Sequence, residues 1–467
     1  MDELIISVSG LRGIVGTSLT PHVVQQYVAA FARQLPTGAE ANTQPVVVSR
    51  DGRTTGRMLA DIVKATLQAC GRDVVDADVA STPTTGVLVR SLGAAGGVQV
   101  SASHNPPAYN GIKLFGADGR VIPAQLGEAV SAAYREGRPD WAAWDAIGAA
   151  STHADPHAAH LESVLGIVDV ERIRDCRFPV LLDSNHGAGS LLGRRLLEAL
   201  NCRLTLLGGT PDGKFAHKPE PTAENLVDVG REVVGCGAII GFCQDPDADR
   251  LALIDGAGRY IGEEYTLALC MDHVLRQRRD ASPDGPSSAM AVVTNCATSR
   301  MSEDIATRYG ATFHRSAVGE ANVADVMIRE QAVFGGEGNG GPIDPRVGYV
   351  RDSFVGMALL LDALAHGDGQ PAALQQWVAE LPSYAIHKDK VEMPRDRVPA
   401  AMERLEAKFS AAAPSRLDGL RLDWPDRWLL LRASNTEPIV RAIAEAPTAD
   451  EARELADEAM SLLRQSS

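Results

Sequence analysis

Three times in this chain a short apolar run breaks at a polar or glycine-bearing loop and gives way to an amphipathic stretch. PVVVSRDGRTTG precedes Met58, Leu59, Ile62, Val63 and Leu67 at helical spacing. FPVLLDSNHGAGS precedes Leu191, Leu192, Leu196, Leu197 and Leu200, and AMAVVTNCATS precedes Met301, Ile305 and Tyr309. The apolar runs are rich in β-branched residues and do not alternate, the pattern of strands covered on both faces. Such strands need helices on either side of the sheet. The pattern therefore predicts an α/β chain with three related mixed α/β-sheet domains, a kinship of pattern and not of identity.

The tail departs from this theme. RLDGLRLDW, RWLLLRAS and PIVRAIAEA alternate as half-buried strands, and Ala449 to Leu463 reads as a closing helix. That predicts a small C-terminal α+β domain. Breaks at Gly137 to Pro156, at Asp255 to Gly258 and at His366 to Pro371 divide the 467 residues into 1–150, 151–255, 256–368 and 369–467. A chain of this length is too long for one hydrophobic core, which agrees with such a division.

Composition narrows the function classes. A net charge of −15, with no basic face in the sequence, argues against nucleic acid as a partner. Seven cysteines, odd in number and without any CxxC, point to buried thiols in a reducing cytoplasm, with neither zinc nor disulfides. The opening MDELIISVSG has no basic n-region or long apolar h-region, and no apolar run reaches the length of a membrane span. A cytoplasmic protein without a membrane partner is expected, as a monomer or homodimer.

Two segments carry the chemistry. SASHNP (Ser101 to Pro106) offers the Ser103 hydroxyl with His104 beside it, on a turn shaped by Asn105, Pro106 and Pro107. About 140 residues on, DPDADR places Asp245, Asp247 and Asp249 at alternate positions, followed by Arg250. Oxygen-only ligands at close spacing suit a hard divalent ion such as Mg2+. A phosphoryl group on Ser103 would complete that ion's coordination, so the metal ligands are expected to be Ser103, Asp245, Asp247 and Asp249. Ser103 by itself would also serve as a helix cap, and the acidic loop as a plain turn. Three carboxylates fixed together repel, however, and a bound cation resolves the repulsion.

Two further segments look like ligand grips. GEGNGG brings Glu337 and Asn339, able to bond sugar hydroxyls, among glycines that allow close backbone approach. RASNTEPIVR brings Arg432, Ser434, Asn435, Thr436 and Arg441, a set of donors matched to a phosphate dianion.

These four motifs in this order resemble those of the α-D-phosphohexomutase superfamily, and the likeness spans nearly the whole chain. SASHNP with GIK (Gly111 to Lys113) is similar to the phosphoserine loop, DPDADR to the metal loop, GEGNGG to the sugar-binding loop and RASNTEPIVR to the phosphate-binding loop. SGLRG (Ser9 to Gly13) resembles the family's opening motif, although SVSGLRG departs from the usual glycine-threonine start and leaves the roles of Ser7 and Ser9 open. The resemblance implies three α/β domains and a C-terminal domain around a central cleft, a Mg2+ ion, and a serine phosphorylated in the resting enzyme. It also implies exchange between hexose 6-phosphate and hexose 1-phosphate through a hexose 1,6-bisphosphate intermediate. Lys113, His104 and Arg12 become candidates for proton transfer or charge stabilisation, and Arg250 for support of the metal loop.

The motifs most resemble archaeal-type phosphoglucosamine mutases and the related phosphomannomutase/phosphoglucomutases. VGEANV puts Glu320 where the latter commonly have a histidine, and a carboxylate there would favour a 2-ammonium sugar. The rival readings are a non-catalytic sugar-phosphate sensor and a Mg2+-dependent phosphatase. The sensor would have lost the nucleophile or a carboxylate, and the phosphatase would need no second phosphate grip.

Overall fold

The computed structural model of the chain describes residues 4–7, 10–36, 44–281, 290–367, 372–434 and 438–464. Each of the three expected strand–helix units forms. Strand Val46–Arg50 leads to helix Gly56–Ala69, Pro179–Asp183 to Gly189–Ala199, and Ala291–Asn295 to Met301–Arg308. Each strand is central in its own sheet and pairs in parallel with neighbours on both sides. Residues 46–48, 180–183 and 291–295 are buried, as strands covered on both faces require.

The three sheets share a second feature that the sequence pattern did not show. In each, a parallel strand turns back through a hairpin into an antiparallel strand. Gly96–Val100 returns as Tyr109–Gly116, Ile240–Gln244 as Leu251–Asp255, and Phe334–Glu337 as Gly341–Ile343. The hairpin loops are residues 101–108, 245–250 and 338–340: the serine motif, the acidic motif and the heart of the glycine motif. The C-terminal domain repeats the device in a five-stranded antiparallel sheet, where Trp428–Ala433 and Ile439–Ala446 flank the fourth motif. The first three motifs are thus hairpin loops at a sheet end, where backbone leaves the ladder and side chains are free to face a ligand, and the fourth is flanked by two paired strands.

Two details lay outside the sequence pattern. Within the break at Gly137 to Pro156, Ala150–Thr152 adds a parallel edge strand to the first sheet beside Val74–Val79, and Ala142 N donates to Ala69 O (2.8 Å). A linker-like composition rich in Ala, Asp and Pro hid it, because three exposed residues carry no hydrophobic signal. The C-terminal domain also contains strand Ala385–Glu392 and helix Val398–Lys408, so its sheet begins before the three runs legible in the sequence.

The largest buried cluster runs through the second and third units and is threaded by helices Glu263–Asp280 and Ser353–His366. The second of these is apolar almost all round and buried along nearly its whole length, as a helix between two sheets must be. The C-terminal domain has its own core and joins the third unit through Cys296, Trp428 and Leu430.

Candidate active site

Ser103 stands in the left-handed backbone region (φ 49°), which a non-glycine residue adopts only when its surroundings compel it. The compelling element is Arg53, fully buried in the loop after the first central strand. Its guanidinium donates to the carbonyls of Ser103 (2.7 Å), Asn105 (2.6 Å), Pro106 (2.8 Å) and Tyr109 (3.0 Å). Asp51 orients Arg53 (3.2 Å) and accepts from Ser101 Oγ (2.7 Å), which in turn accepts from Ser103 N (2.9 Å). Charge-assisted bonds of this kind are each worth about 1.5–3 kcal/mol, enough to hold a strained turn. Sequence reasoning passed over Asp51 and Arg53. The signal was there as three charged residues packed into one short strand-to-helix turn, SRDGR, directly after the apolar run PVVV.

The Ser103 hydroxyl donates to Asp245 Oδ2 at 2.7 Å and lies 3.2 Å from His104 Nδ1. Residues 142 positions apart in sequence are thus brought into direct contact, and Asp245, Asp247 and Asp249 are all fully buried. Two cations face the three carboxylates. Lys113 Nζ bonds Asp247 (2.8 Å) and Asp249 (3.1 Å), and Arg351 Nη2 bonds Asp249 (2.7 Å). Burial opposes charge on Lys113, but Asp247 and Asp249 overcome it and hold the ammonium protonated. Burial likewise opposes charge on Asp247, and Lys113 overcomes it, keeping that carboxyl low. Asp245 has no such partner. Burial and then its two acidic neighbours push it well above the usual carboxylate range.

One positive charge is therefore missing, and so are ligands for two oxygens. Asp247 Oδ1 and Asp249 Oδ1 are buried with no hydrogen-bond partner. An orphaned buried carboxylate oxygen costs free energy unless a cation takes it, so the residues present fit a divalent ion. The donor set is oxygen only, the preference of Mg2+. Ala248, between Asp247 and Asp249, is also left-handed (φ 56°), and the turn is pinned by Ser353 Oγ, which donates to Ala248 O (2.7 Å).

A central cleft of about 760 Å3 opens beside this cluster and gathers residues from all four domains: Arg12 and Lys113, Arg250, then Glu320, Glu337, Asn339 and Arg351, and finally Arg432. Arg12 Nη1 donates to Asn105 Oδ1 (3.3 Å), linking the opening motif to the serine loop, and Ser7, whose Oγ donates to Gly10 O (3.0 Å), lines the same cleft. Arg250 N donates to Asp245 Oδ1 (3.2 Å), while its buried Nε has no partner. His104 is held neutral, its pKa pushed down to about 3 by burial and then by Arg250 and Arg12. It is a hydrogen-bonding neighbour of Ser103 and not a ready base in this state.

Arg351 is the residue that sequence reasoning most conspicuously missed. Besides Asp249 it meets Glu337 Oε2 (2.9 Å) and approaches Glu320 Oε2 (3.6 Å), and its backbone N–H donates to Glu320 Oε1 (2.7 Å). One side chain thus ties the acidic hairpin to the glycine hairpin. Gly341 makes room for it, since a Cβ there would stand 2.4 Å from Arg351 Cδ. A Cβ on Gly338 would likewise collide with Glu264 at 2.0 Å, so these two glycines are packing requirements. Glu337 also accepts from Asn295 Nδ2 (2.7 Å) and Gly319 N (3.0 Å), whereas Asn339 Oδ1 is buried without a partner and open to a ligand hydroxyl.

The fourth motif is partly visible. Arg432 lines the cleft, held by Asp418 at 2.9 Å, and Asp418 also accepts from Val318 N (2.9 Å) beside Glu320. Ser434 N donates to Ile439 O (2.9 Å) at the hairpin neck. Arg441 stands across the ladder from Arg432, exposed and outside the cleft lining. Asn435, Thr436 and Ser9 lie outside the described residues.

With this geometry in view, comparison with known proteins defines the class. The four phosphoglucomutase/phosphomannomutase domain models match in order: α/β/α domain I at residues 4–140, domain II at 156–258, domain III at 263–384 and the C-terminal domain at 390–462. The chain belongs to the phosphoglucomutase/phosphomannomutase family. It is 35% identical over 460 residues to the phosphoglucomutase/phosphomannomutase of Thermococcus kodakarensis, covering 98% of this chain and 97% of that one. It is 32% identical to a probable phosphoglucosamine mutase of Methanopyrus kandleri, with 98% and 97% covered. A solved phosphoglucomutase/phosphomannomutase family protein from Burkholderia thailandensis superimposes with a TM-score of 0.83 at 26% identity, covering 99% of this chain and 98% of that chain. Among the described residues no helix is long and apolar enough to cross a membrane.

Proposed function

We propose that the protein interconverts hexose 6-phosphates and hexose 1-phosphates by way of Ser103, with glucosamine phosphate as its preferred substrate. The observation that carries this reading is the Ser103 hydroxyl 2.7 Å from Asp245, beside two carboxylate oxygens that lack any partner. Asp245, Asp247 and Asp249, with an oxygen of the phosphorylated Ser103, would hold Mg2+, which when bound supplies charge neutralisation to the transferring group.

The chain's own residues supply the rest. Arg432, with Ser434, Asn435 and Thr436 beside it in sequence, receives the phosphate already on the sugar. Glu337 and Asn339 take sugar hydroxyls. The free hydroxyl attacks phosphorus as the bond to Ser103 Oγ breaks, and its proton passes to Oγ, leaving the serine as its alcohol. The bisphosphate turns end for end, and Ser103 takes back the other phosphoryl group, so phosphate and protons balance over the cycle. Lys113 stays cationic beside the reacting centre, and Arg12 and Arg250 add positive charge at the cleft wall. Closure of the C-terminal domain over the cleft would keep water from the phosphoserine.

Glucosamine phosphate is favoured by Glu320, a carboxyl in the cleft where an ammonium at C2 would find it. Seven free cysteines support a reducing, cytoplasmic setting. The test is direct. The protein is incubated with glucosamine, glucose and mannose 1-phosphates plus a trace of bisphosphate. Appearance of 6-phosphates supports the mutase, free phosphate would mean a phosphatase, and binding without conversion would mean a sensor.

A further inference from the structure

Helices Glu263–Asp280 and Ser353–His366 both start at the cleft: Glu264 meets the glycine hairpin, and Ser353 pins the acidic turn. They pack side by side and end together far from it. At about 1.5 Å per residue, the 14 residues of the second helix put its last turn about 20 Å from the acidic loop. There His273 from the first helix meets Asp362 and His366 from the second. His273 Nε2 lies 2.8 Å from Asp362 Oδ2, and His366 Nδ1 lies 3.6 Å from Asp362 Oδ1. One donor atom from each of the three falls within 4.8 Å of the others.

We infer that His273, Asp362 and His366 form a second divalent-metal site, of zinc type, clamping the far ends of these two helices. The ligand chemistry separates it from the Asp245 cluster. Two imidazoles and a carboxylate suit Zn2+ and its borderline neighbours, whereas the oxygen-only triad suits Mg2+. The spacing is that of a helical chelate, since Asp362 and His366 are one turn apart and share a face. Gln277, one turn on from His273, repeats that spacing on the facing helix and donates Nε2 to Asp362 Oδ2 (2.7 Å).

The surroundings also fit. Asp362 is fully buried and already fixed by Asp169 N on Oδ1 (3.1 Å), an orienting contact of the sort that holds metal ligands in place. His366 Nδ1, which lies 2.9 Å from the Asp362 carbonyl and 3.6 Å from its carboxylate, would give up the carbonyl contact to face the ion. His366 is 39% exposed on the last turn, so its ring has room to turn. A cavity of about 1100 Å3 opens onto the cluster, lined by His273, Gln277, His366, Trp377, Asp280 and Glu380, and gives an ion both an entry path and room for a water ligand. Binding at Nε2 displaces the proton that His273 now donates to Asp362 Oδ2, which moves to Nδ1 or is released to solvent.

The experiment uses the full chain, stripped with chelator and held in excess Mg2+ to keep the acidic triad filled. Zn2+ is then titrated calorimetrically, and Co2+ is followed by its visible spectrum. The expected result is one equivalent of Zn2+ bound with a rise in Tm, and a strong low-symmetry Co2+ band. His366→Ala, a partly exposed change that leaves the core intact, should weaken Zn2+ at least tenfold and remove the Tm rise, with Mg2+-dependent turnover in the absence of Zn2+ unchanged. Asp362→Asn should do the same to binding if it folds. No Zn2+ uptake in excess Mg2+, or equal affinity in His366→Ala, overturns the inference.

Discussion

The hairpin that carries Asp245, Asp247 and Asp249 and the strand pair that flanks the Arg432 motif are held very differently: the first ends in an edge strand of a mixed sheet, the second lies in the interior of an antiparallel one. The first is buried throughout, its side chains bonded to Ser103, Thr82, Lys113 and Arg351 from other elements. The second offers Arg432 at 24% exposure, tied through Asp418 to the third unit. That difference follows from the reaction proposed above. The nucleophile and the metal ligands act on a phosphoryl group at one fixed point, so rigidity there lowers the reorganisation required. The phosphate grip must receive either end of a bisphosphate that turns over, which suits a partly exposed arginine at the cleft wall.

Removing the fixed nucleophile should give the largest effect. Ser103→Ala is expected to cut turnover by on the order of a thousandfold or more, with Tm almost unchanged because the loop is held by Arg53 and not by the hydroxyl. Phosphopeptide mapping should find phosphate on Ser103 in the native protein and none in the variant. Undiminished activity, or phosphate elsewhere, would break the assignment of the rigid side.

Asp247→Asn should come next. It removes one of the two orphaned oxygens' charges and leaves Lys113 with less to balance, so the Mg2+ requirement should rise and the rate fall by roughly a hundredfold. If this variant and its Asp245 and Asp249 counterparts all work normally in chelator, the cluster holds no ion. Arg432 predicts a smaller and different loss. Arg432→Ala should lower kcat/KM by about tenfold to a hundredfold, the worth of one charge-assisted phosphate contact, while leaving the Mg2+ requirement where it was. A change in Mg2+ requirement in Arg432→Ala would show that the two hairpins are not independent.

The sequence disclosed the residues whose chemistry is unusual and concealed those whose work is geometric. Ser103 and the three aspartates stand out because a hydroxyl and alternate carboxylates in short turns have few structural uses. The three strand–helix units stand out because both-face burial leaves unbroken apolar runs. Arg53, Thr82 and Arg351 look like ordinary surface-compatible residues, and only folding reveals that each bonds a motif far away in sequence. The common hairpin placement of the motifs was only partly visible: Asn339-Gly340 before Gly341–Ile343 is a hairpin dipeptide, whereas the eight-residue turn before Tyr109–Gly116 carries none.

Glu320 lines the same cleft, and it yields the smallest and most discriminating prediction. Its carboxyl is pushed up to about 7, first by burial and against the pull of Arg351, whose backbone already bonds one of its oxygens. Below pH 7 it is therefore mostly neutral in the free protein and above pH 7 mostly charged. Attraction for an ammonium at C2 should then grow as pH rises through 7, and fall again once the amine loses its own proton. The preference for glucosamine phosphate over glucose phosphate, read as a ratio of kcat/KM, should rise by roughly tenfold across that window, the worth of one partly shared charged contact. Because Arg351 also neutralises Glu337 at 2.9 Å, Glu320 is the carboxylate with charge to spare. Glu320→Gln should flatten the ratio against pH while glucose phosphate turnover changes little. A native preference for glucose or mannose phosphate that is independent of pH and untouched by Glu320→Gln would assign the protein to the unaminated sugars and leave Glu320 as a support for Arg351.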